Sequence, residues 1–281
     1  MNYRIASNIL SFCEKCLQTL GSIIKVLLLS RRVTKLDINV PYEEIVILGN
    51  GPSLKPLLEN HRDFLEKKAL LAVNYAVLSD YYTELRPEFY LVADPVFLYQ
   101  KEHCDRFFES LALNTTWNLK LYLSVQARKS QLWQERLKDC RNIEVHYINL
   151  TPIEGFCGFS HWAFRKRWGM PRPRNVLIPS IMTALCMPFK TIYIAGADHS
   201  WLKEIWIDDS NVLMENLNHF YDKKGPEKYV SDKHLHDLLL NMHIIFKSYH
   251  VIRDYAKTLG KEIYNITEGS YIDAFERKKL S

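Results

Sequence analysis

The chain has 281 residues, 47% hydrophobic and 25% charged, a balance that excludes extensive disorder and suits one large α/β domain or a domain with an appendage. Its 37 Lys and Arg against 32 Asp and Glu leave a formal charge of +5, and no dense basic run is present, so no nucleic-acid partner is expected. The mild basic excess suits an anionic membrane face.

Residues 1–40 read as an amphipathic helical segment ahead of the main domain. Ile9, Leu10, Phe12, Cys13, Cys16, Leu17, Leu20, Ile23, Ile24, Leu27 and Leu28 recur at helical spacing, with Glu14, Lys15 and Lys25 on the other side and Arg31, Arg32 and Lys35 beyond. The stretch is too polar to span a bilayer, and no small-residue cleavage site follows it. Two placements stay open: a helix packed on the domain, or an interfacial helix whose cations face lipid phosphates. Cys13 and Cys16 are the only close pair among six scattered cysteines. With no second ligand pair nearby, they predict buried helix thiols in a reducing, cytosolic protein rather than zinc or redox chemistry.

The main domain, 41–281, opens on "EIVILGNGPSLK" at 44–55. Four apolar residues predict a strand covered on both faces, and Ser53 before Leu54, Leu57 and Leu58 predicts the cap and first turn of a helix. Glycines at such a strand-to-helix turn let a backbone approach a ligand, and helix-start N–H groups favour an anion. Gly49, Asn50, Gly51 and Ser53 are therefore candidates for a nucleotide or sugar phosphate, although the loop is neither a dinucleotide fingerprint nor a Walker loop. An ordinary tight turn is the alternative.

Further apolar runs at 69–73, 89–93, 119–124, 143–148 and 191–195 alternate with helical segments, which predicts an α/β, Rossmann-like, mostly parallel sheet with helices on both faces. Ligands meet such sheets at the strands' carboxyl ends, where Asn50, Asn74, Asp94 and Asp198 fall. Residues 152–174 crowd Gly, aromatic and basic side chains into an irregular segment over the sheet edge. Val176 to Leu185 reads as a buried helix, with Ser180 as a cap or a ligand contact. A lid is expected at about 199–232, carrying His199, Trp201, Trp206, Tyr221 and Tyr229. On the helix after it, His234, His236 and His243 are candidate general bases, His236 first. No zinc motif accompanies them, no metal ligands are assigned, and Asp208-Asp209 reads as a solvated turn.

Taken in order, "GNGPSLK" at 49–55, Asn74, "RNVLIPSIMTAL" at 174–185, "IYIAGADHSW" at 192–201 and "KTLGKEIYNITEGSYIDAF" at 257–275 resemble the bacterial lipooligosaccharide sialyltransferases. They are also similar to the related group of hydroxymethylpterin diphosphokinase-like and flagellin-modification proteins (motility accessory factors). The resemblance implies a CMP-activated keto-sugar donor. The glycine turn and Asn50 would meet the phosphate and ribose, Asn74 the cytosine nucleotide, and Ser180 the donor; lid tyrosines would hold the phosphate while a histidine acts as base. Asp94-Pro95 departs from the Asn-Pro of the sialyltransferases, and the lid tyrosines have no clear match. The implied reaction is metal-independent glycosyl transfer to a surface-glycan acceptor, lipid-attached and met at the inner face of a cytoplasmic membrane, by an enzyme that can oligomerise. A diphosphokinase using magnesium on Asp94 and Asp198, or a non-catalytic membrane-associated binding protein, is the alternative.

Overall fold

A strand without a polar face needs cover on both sides, and the computed structural model, which describes residues 2–33, 38, 40–217, 227–230 and 234–280, shows that cover. The six apolar runs form β1 (Glu44–Leu48), β2 (Ala69–Val73), β3 (Phe89–Val92), β4 (Leu119–Ser124), β5 (Ile143–Ile148) and β6 (Thr191–Ala195). Around them lie α1 (Asn2–Leu29), α2 (Leu54–Asn60), α3 (Arg62–Leu65), α4 (Tyr81–Leu85), α5 (Val96–Tyr99), α6 (Lys101–Asn114), α7 (Gln131–Leu137), α8 (Cys157–Arg165), α9 (Leu177–Leu185) and α10 (Leu235–Thr258). Three short strands, β7 (Ile205–Ile207), β8 (Leu213–Leu217) and β9 (Glu227–Val230), make a separate antiparallel sheet within the expected lid segment. The last strands, β10 (Glu262–Asn265) and β11 (Glu276–Arg277), extend the main sheet beyond the apolar runs.

The main sheet is parallel throughout, in the order β11-β10-β6-β1-β2-β3-β4-β5. Side chains alternate along each strand. Ile45 and Ile47 of β1 join Ile178 and Ile181 of α9 and Ile252 of α10 on one face. Val46 and Leu48 join Leu54, Leu57 and Leu58 of α2 on the other. Farther along the sheet, Tyr90 and Leu121 pack with Phe107 and Phe108 of α6 and Trp133 of α7. The fold is thus a Rossmann-like α/β sandwich. From β1 the chain runs outward through β2 to β5, then returns to place β6 on β1's other side. That reversal puts the topological switch point between β1 and β6, directly over the glycine turn.

The N-terminal helix is tied to the domain at the carboxyl end of β5. The Asn149 carboxamide accepts from Arg31 N and donates to Arg31 O, at 2.9 and 2.8 Å. Ser22 Oγ donates to Glu154 O at 2.9 Å, and Thr19 Oγ1 accepts from Phe156 N at 3.0 Å. A Cβ on Gly155, whose φ is +114°, would lie 2.1 Å from the Thr19 hydroxyl, so glycine is needed there for the helix to seat. Cys13 and Cys16 are exposed, contrary to the expectation of buried thiols, because the helix docks through a different face.

Candidate functional site

At the switch point the sheet's carboxyl edge opens into a cleft of about 750 Å³, walled by the segments that follow β1, β2, β3 and β6 and by residues 173–177. Gly49, Asn50, Gly51, Asn74, Asp94, Asp198, His199 and Trp201 all line it. Sequence reasoning thus placed eight of its candidates on one surface.

The glycine turn is built for tightness. A Cβ at Gly49 would stand 2.5 Å from Gly196 O, and one at Gly51 would stand 1.9 Å from an Asp198 carboxylate oxygen. Both glycine N–H groups of the turn are already used: Gly49 N donates to Ala195 O and Gly51 N to Gly196 O, each at 2.8 Å. Ser53 does not cap α2; its hydroxyl donates to Asp198 Oδ2 at 2.8 Å. Burial pushes the Asp198 carboxyl above its usual range, opposed by the Ser53 bond. The turn therefore clamps β1 to the end of β6, and a carboxylate occupies the place expected for a phosphate.

After β2 the chain makes a 3-10 turn in which Asn74 takes a left-handed φ of +47°. The Tyr90 hydroxyl fixes this turn, donating to Asn74 O at 2.6 Å and accepting from Val77 N at 2.8 Å. Asn50 Nδ2 donates to Val73 O at 3.3 Å. The remaining carboxamide oxygens, Asn50 Oδ1 and Asn74 Oδ1, are buried without a partner among the described residues, as is Asn216 Oδ1 on the lid side. Each unmet buried acceptor costs about 1–3 kcal/mol until something donates to it.

On the far wall Asn175 and His199 interlock with Tyr249, which is buried behind them. Asn175 Oδ1 accepts from Ile178 N, which fixes the amide so that Nδ2 faces Tyr249 Oη at 2.7 Å and His199 Nε2 at 3.1 Å. The Tyr249 hydroxyl lies 2.6 Å from the same His199 nitrogen. His199 Nε2 is then an acceptor, so the neutral ring carries its proton on Nδ1. Burial agrees, lowering the His199 pKa to about 3. His199 also has a left-handed φ of +51°, and its ring centroid lies 4.2 Å from that of Trp201.

Across the cleft, Tyr75 Oη lies 2.6 Å from His103 Nδ1, and the Arg106 guanidinium sits over the Tyr75 ring. Burial raises the Tyr75 pKa, keeping the phenol protonated. Asp94 turns one carboxylate oxygen back to Val96 N at 2.9 Å. Asp94, Asp198 and Glu204 face the cleft against one formal cation among the described residues, Arg174. Among the described residues no group of three or more His, Cys, Asp or Glu side chains is arranged to hold a metal.

Several expected residues stand elsewhere. Ser180 is fully buried inside α9 and donates to Val176 O at 2.8 Å, neither capping the helix nor reaching the cleft. His234 precedes the first turn of α10, and His236 and His243 lie on that helix; all three are exposed and none lines the cleft. Trp206 lies on β7, 37% exposed and off the cleft wall. Tyr221 is outside the described residues, and Tyr229 lies on β9 opposite Glu215. Tyr75, His103, Arg174, Asn175, Glu204, Asn216 and Tyr249 escaped sequence reasoning. Of these only Arg174 and Asn175 carried a signal, as the opening of "RNVLIPSIMTAL".

No protein-family model matches the chain, and no curated protein matches it. Among solved structures it is similar to a MAf glycosyltransferase from Magnetospirillum magneticum AMB-1, with a TM-score of 0.51 at 10% identity. The match covers 93% of this chain and 38% of that one, so the chain spans well under half the length of the glycosyltransferase it matches. At that identity the likeness is one of fold. That neighbour is a MAf glycosyltransferase and not a sialyltransferase, so it bears only on the motility-accessory-factor part of the resemblance.

Proposed function

We propose that the cleft is the donor site of a glycosyltransferase that moves a keto-sugar from a CMP-activated donor to a surface glycan without a metal. The observation that carries this reading is the pair of buried, unpartnered carboxamide oxygens, Asn50 Oδ1 and Asn74 Oδ1, beside a turn whose two glycine N–H groups are spent. Such a wall asks for a ligand rich in N–H and O–H donors, as a cytosine amine and ribose hydroxyls are, and offers little to a run of phosphates. Three carboxylates and one arginine suit the single phosphodiester of a CMP-sugar better than a diphosphate. The MAf likeness supports glycosyl transfer as the class.

In this reading the bond between the anomeric carbon and the phosphate oxygen breaks, with its electron pair leaving on CMP. The acceptor oxygen bonds to that carbon, and its proton passes to a base. We assign the base to His103, an imidazole on the cleft wall. With Nδ1–H donating to Tyr75 Oη, its Nε2 carries the lone pair. His199, held neutral, serves as a donor toward departing charge. His236 is the rival base. The acceptor is proposed to be lipid-attached and met at the inner face of a cytoplasmic membrane.

The diphosphokinase reading rests on Asp94 and Asp198 sharing the cleft, but Asp198 is bonded to Ser53 and Asp94 to Val96 N. Thermal-shift measurements with CMP, UDP and ATP, each with EDTA or magnesium, separate these readings. Metal-independent stabilisation by CMP is expected. Stabilisation only by ATP with magnesium would favour the kinase, and no shift with any nucleotide the binding protein.

A further inference from the structure

We infer that the outer face of α1, with the exposed end of α8 beside it, docks on an anionic membrane surface. A helix packed on a soluble domain ordinarily turns its apolar stripe inward and its polar side to water. α1 does the reverse. The positions turned toward the domain are mostly small or polar, Thr19, Gly21, Ser22, Lys25 and, just past the helix, Ser30, joined to residues 149–168 by the Thr19, Ser22 and Ser30 hydroxyls and an ion pair from Lys25 to Glu154. Val26 against the core and Phe12 against Phe156 are the apolar contacts. Outward go Leu10 at 71% exposure, Leu17 at 71%, Leu20 at 56%, Leu27 at 75% and Leu28 at 65%. Contiguous apolar surface on this scale marks an interaction site. No described helix is long and apolar enough to cross a membrane, so the face suits an interfacial position.

Charge selects the occupant. Glu14 is the one acidic residue in 2–33, whereas Lys15, Arg31 and Arg32 are exposed on or just past the helix. Trp162 of α8, 44% exposed, stands edge-on to Trp168, whose carbonyl accepts the Ser30 hydroxyl at the end of α1. Arg165 and Lys166 are exposed at the end of α8. Leucines ringed by cations with a tryptophan at the border match an interface with anionic headgroups. A second copy docking by two-fold symmetry would set this basic rim against itself. The chain leaving α1 is fastened to the carboxyl ends of β4 and β5, by Arg128 to Arg32 O and by Asn149 to Arg31, which is the sheet edge on which the cleft opens. Binding there keeps the cleft mouth on the membrane side whatever its donor.

The test is co-sedimentation of the full chain with vesicles of phosphatidylcholine alone or with about one third phosphatidylglycerol, alongside sedimentation velocity without lipid. The intact protein should bind the anionic vesicles and release at high salt. Leu20→Glu with Leu27→Glu should abolish binding, and Arg31→Gln with Arg32→Gln should weaken it roughly 30-fold while altering only exposed side chains. The second pair keeps the test decisive should the first misfold. Failure of the intact protein to bind anionic vesicles overturns the inference, whether it sediments as a monomer or as a dimer that Leu20→Glu with Leu27→Glu dissociates. Equal binding to both vesicle types, indifferent to Arg31 and Arg32, overturns it too.

Discussion

Asn74 and His199 are held at left-handed φ on opposite walls of one cleft, a conformation that costs a non-glycine residue of order 1–3 kcal/mol and persists where the surroundings enforce it. Asn74→Gly should therefore keep or raise the melting temperature while lowering CMP affinity about tenfold for one lost hydrogen bond, whereas Asn74→Ala should lower both. For His199 the sign is fixed by its low folded pKa. Between the ordinary 6.5 and about 3 the unfolded chain binds the extra proton, so stability falls as pH drops through that window. Urea midpoints between pH 7 and 5 should decline in the wild type and decline less in His199→Gln. Tyr249→Phe, which leaves Asn175 and His199 without their shared partner, should destabilise by about 1–3 kcal/mol in urea unfolding. His103→Ala should cut turnover by about two to four orders of magnitude with CMP affinity nearly unchanged, and His236→Ala should leave turnover near wild type. The reverse pattern would return the base to His236. The last helix suggested its histidines because they follow the expected lid. Sequence gives no sign that Tyr75 and His103, 28 positions apart, meet on one wall of a cleft.

Between β1 and α2 the glycine turn owes its composition to β6. Its position was legible from the apolar run and the Gly-Asn-Gly-Pro-Ser signal, but its job was not, since the carboxylate that fills it comes from 145 residues away. Gly51→Ala should destabilise the protein by roughly 1–3 kcal/mol in urea, because the added methyl meets both Asp198 and Gly196 O. Ser53→Ala removes a donor that opposes the burial of Asp198, and so raises that carboxyl further. A folded pKa above the unfolded 3.8 means stability is lost as pH rises through the interval between them. The variant's deficit relative to wild type should accordingly be larger at pH 7 than at pH 4. The α1 stripe was equally legible as a period. A period does not say which face is outward, and here Thr19 and Ser22, with Gly21, Lys25 and Val26, form the docked side.

At the scale of the whole molecule the parallel sheet followed from six apolar runs, and the switch-point rule located the cleft before any contact was known. What the runs missed were the strands without a long apolar stretch: β10 reads Glu-Ile-Tyr-Asn, β11 is a Glu-Arg pair, and the strands of the small antiparallel sheet are only three to five residues long. The lining of the cleft likewise comes from segments scattered between Gly49 and Asn216, which no single motif spans. The central claim, that this cleft takes a CMP unit through Asn50 and Asn74 without metal, is tested most directly by calorimetric titration of CMP in EDTA into wild type, Asn50→Ala and Asn74→Gly. Saturable binding by the wild type, weakened about tenfold or more in each variant, is the predicted result. Wild-type binding that is absent in EDTA, or that both variants retain in full, would contradict the claim.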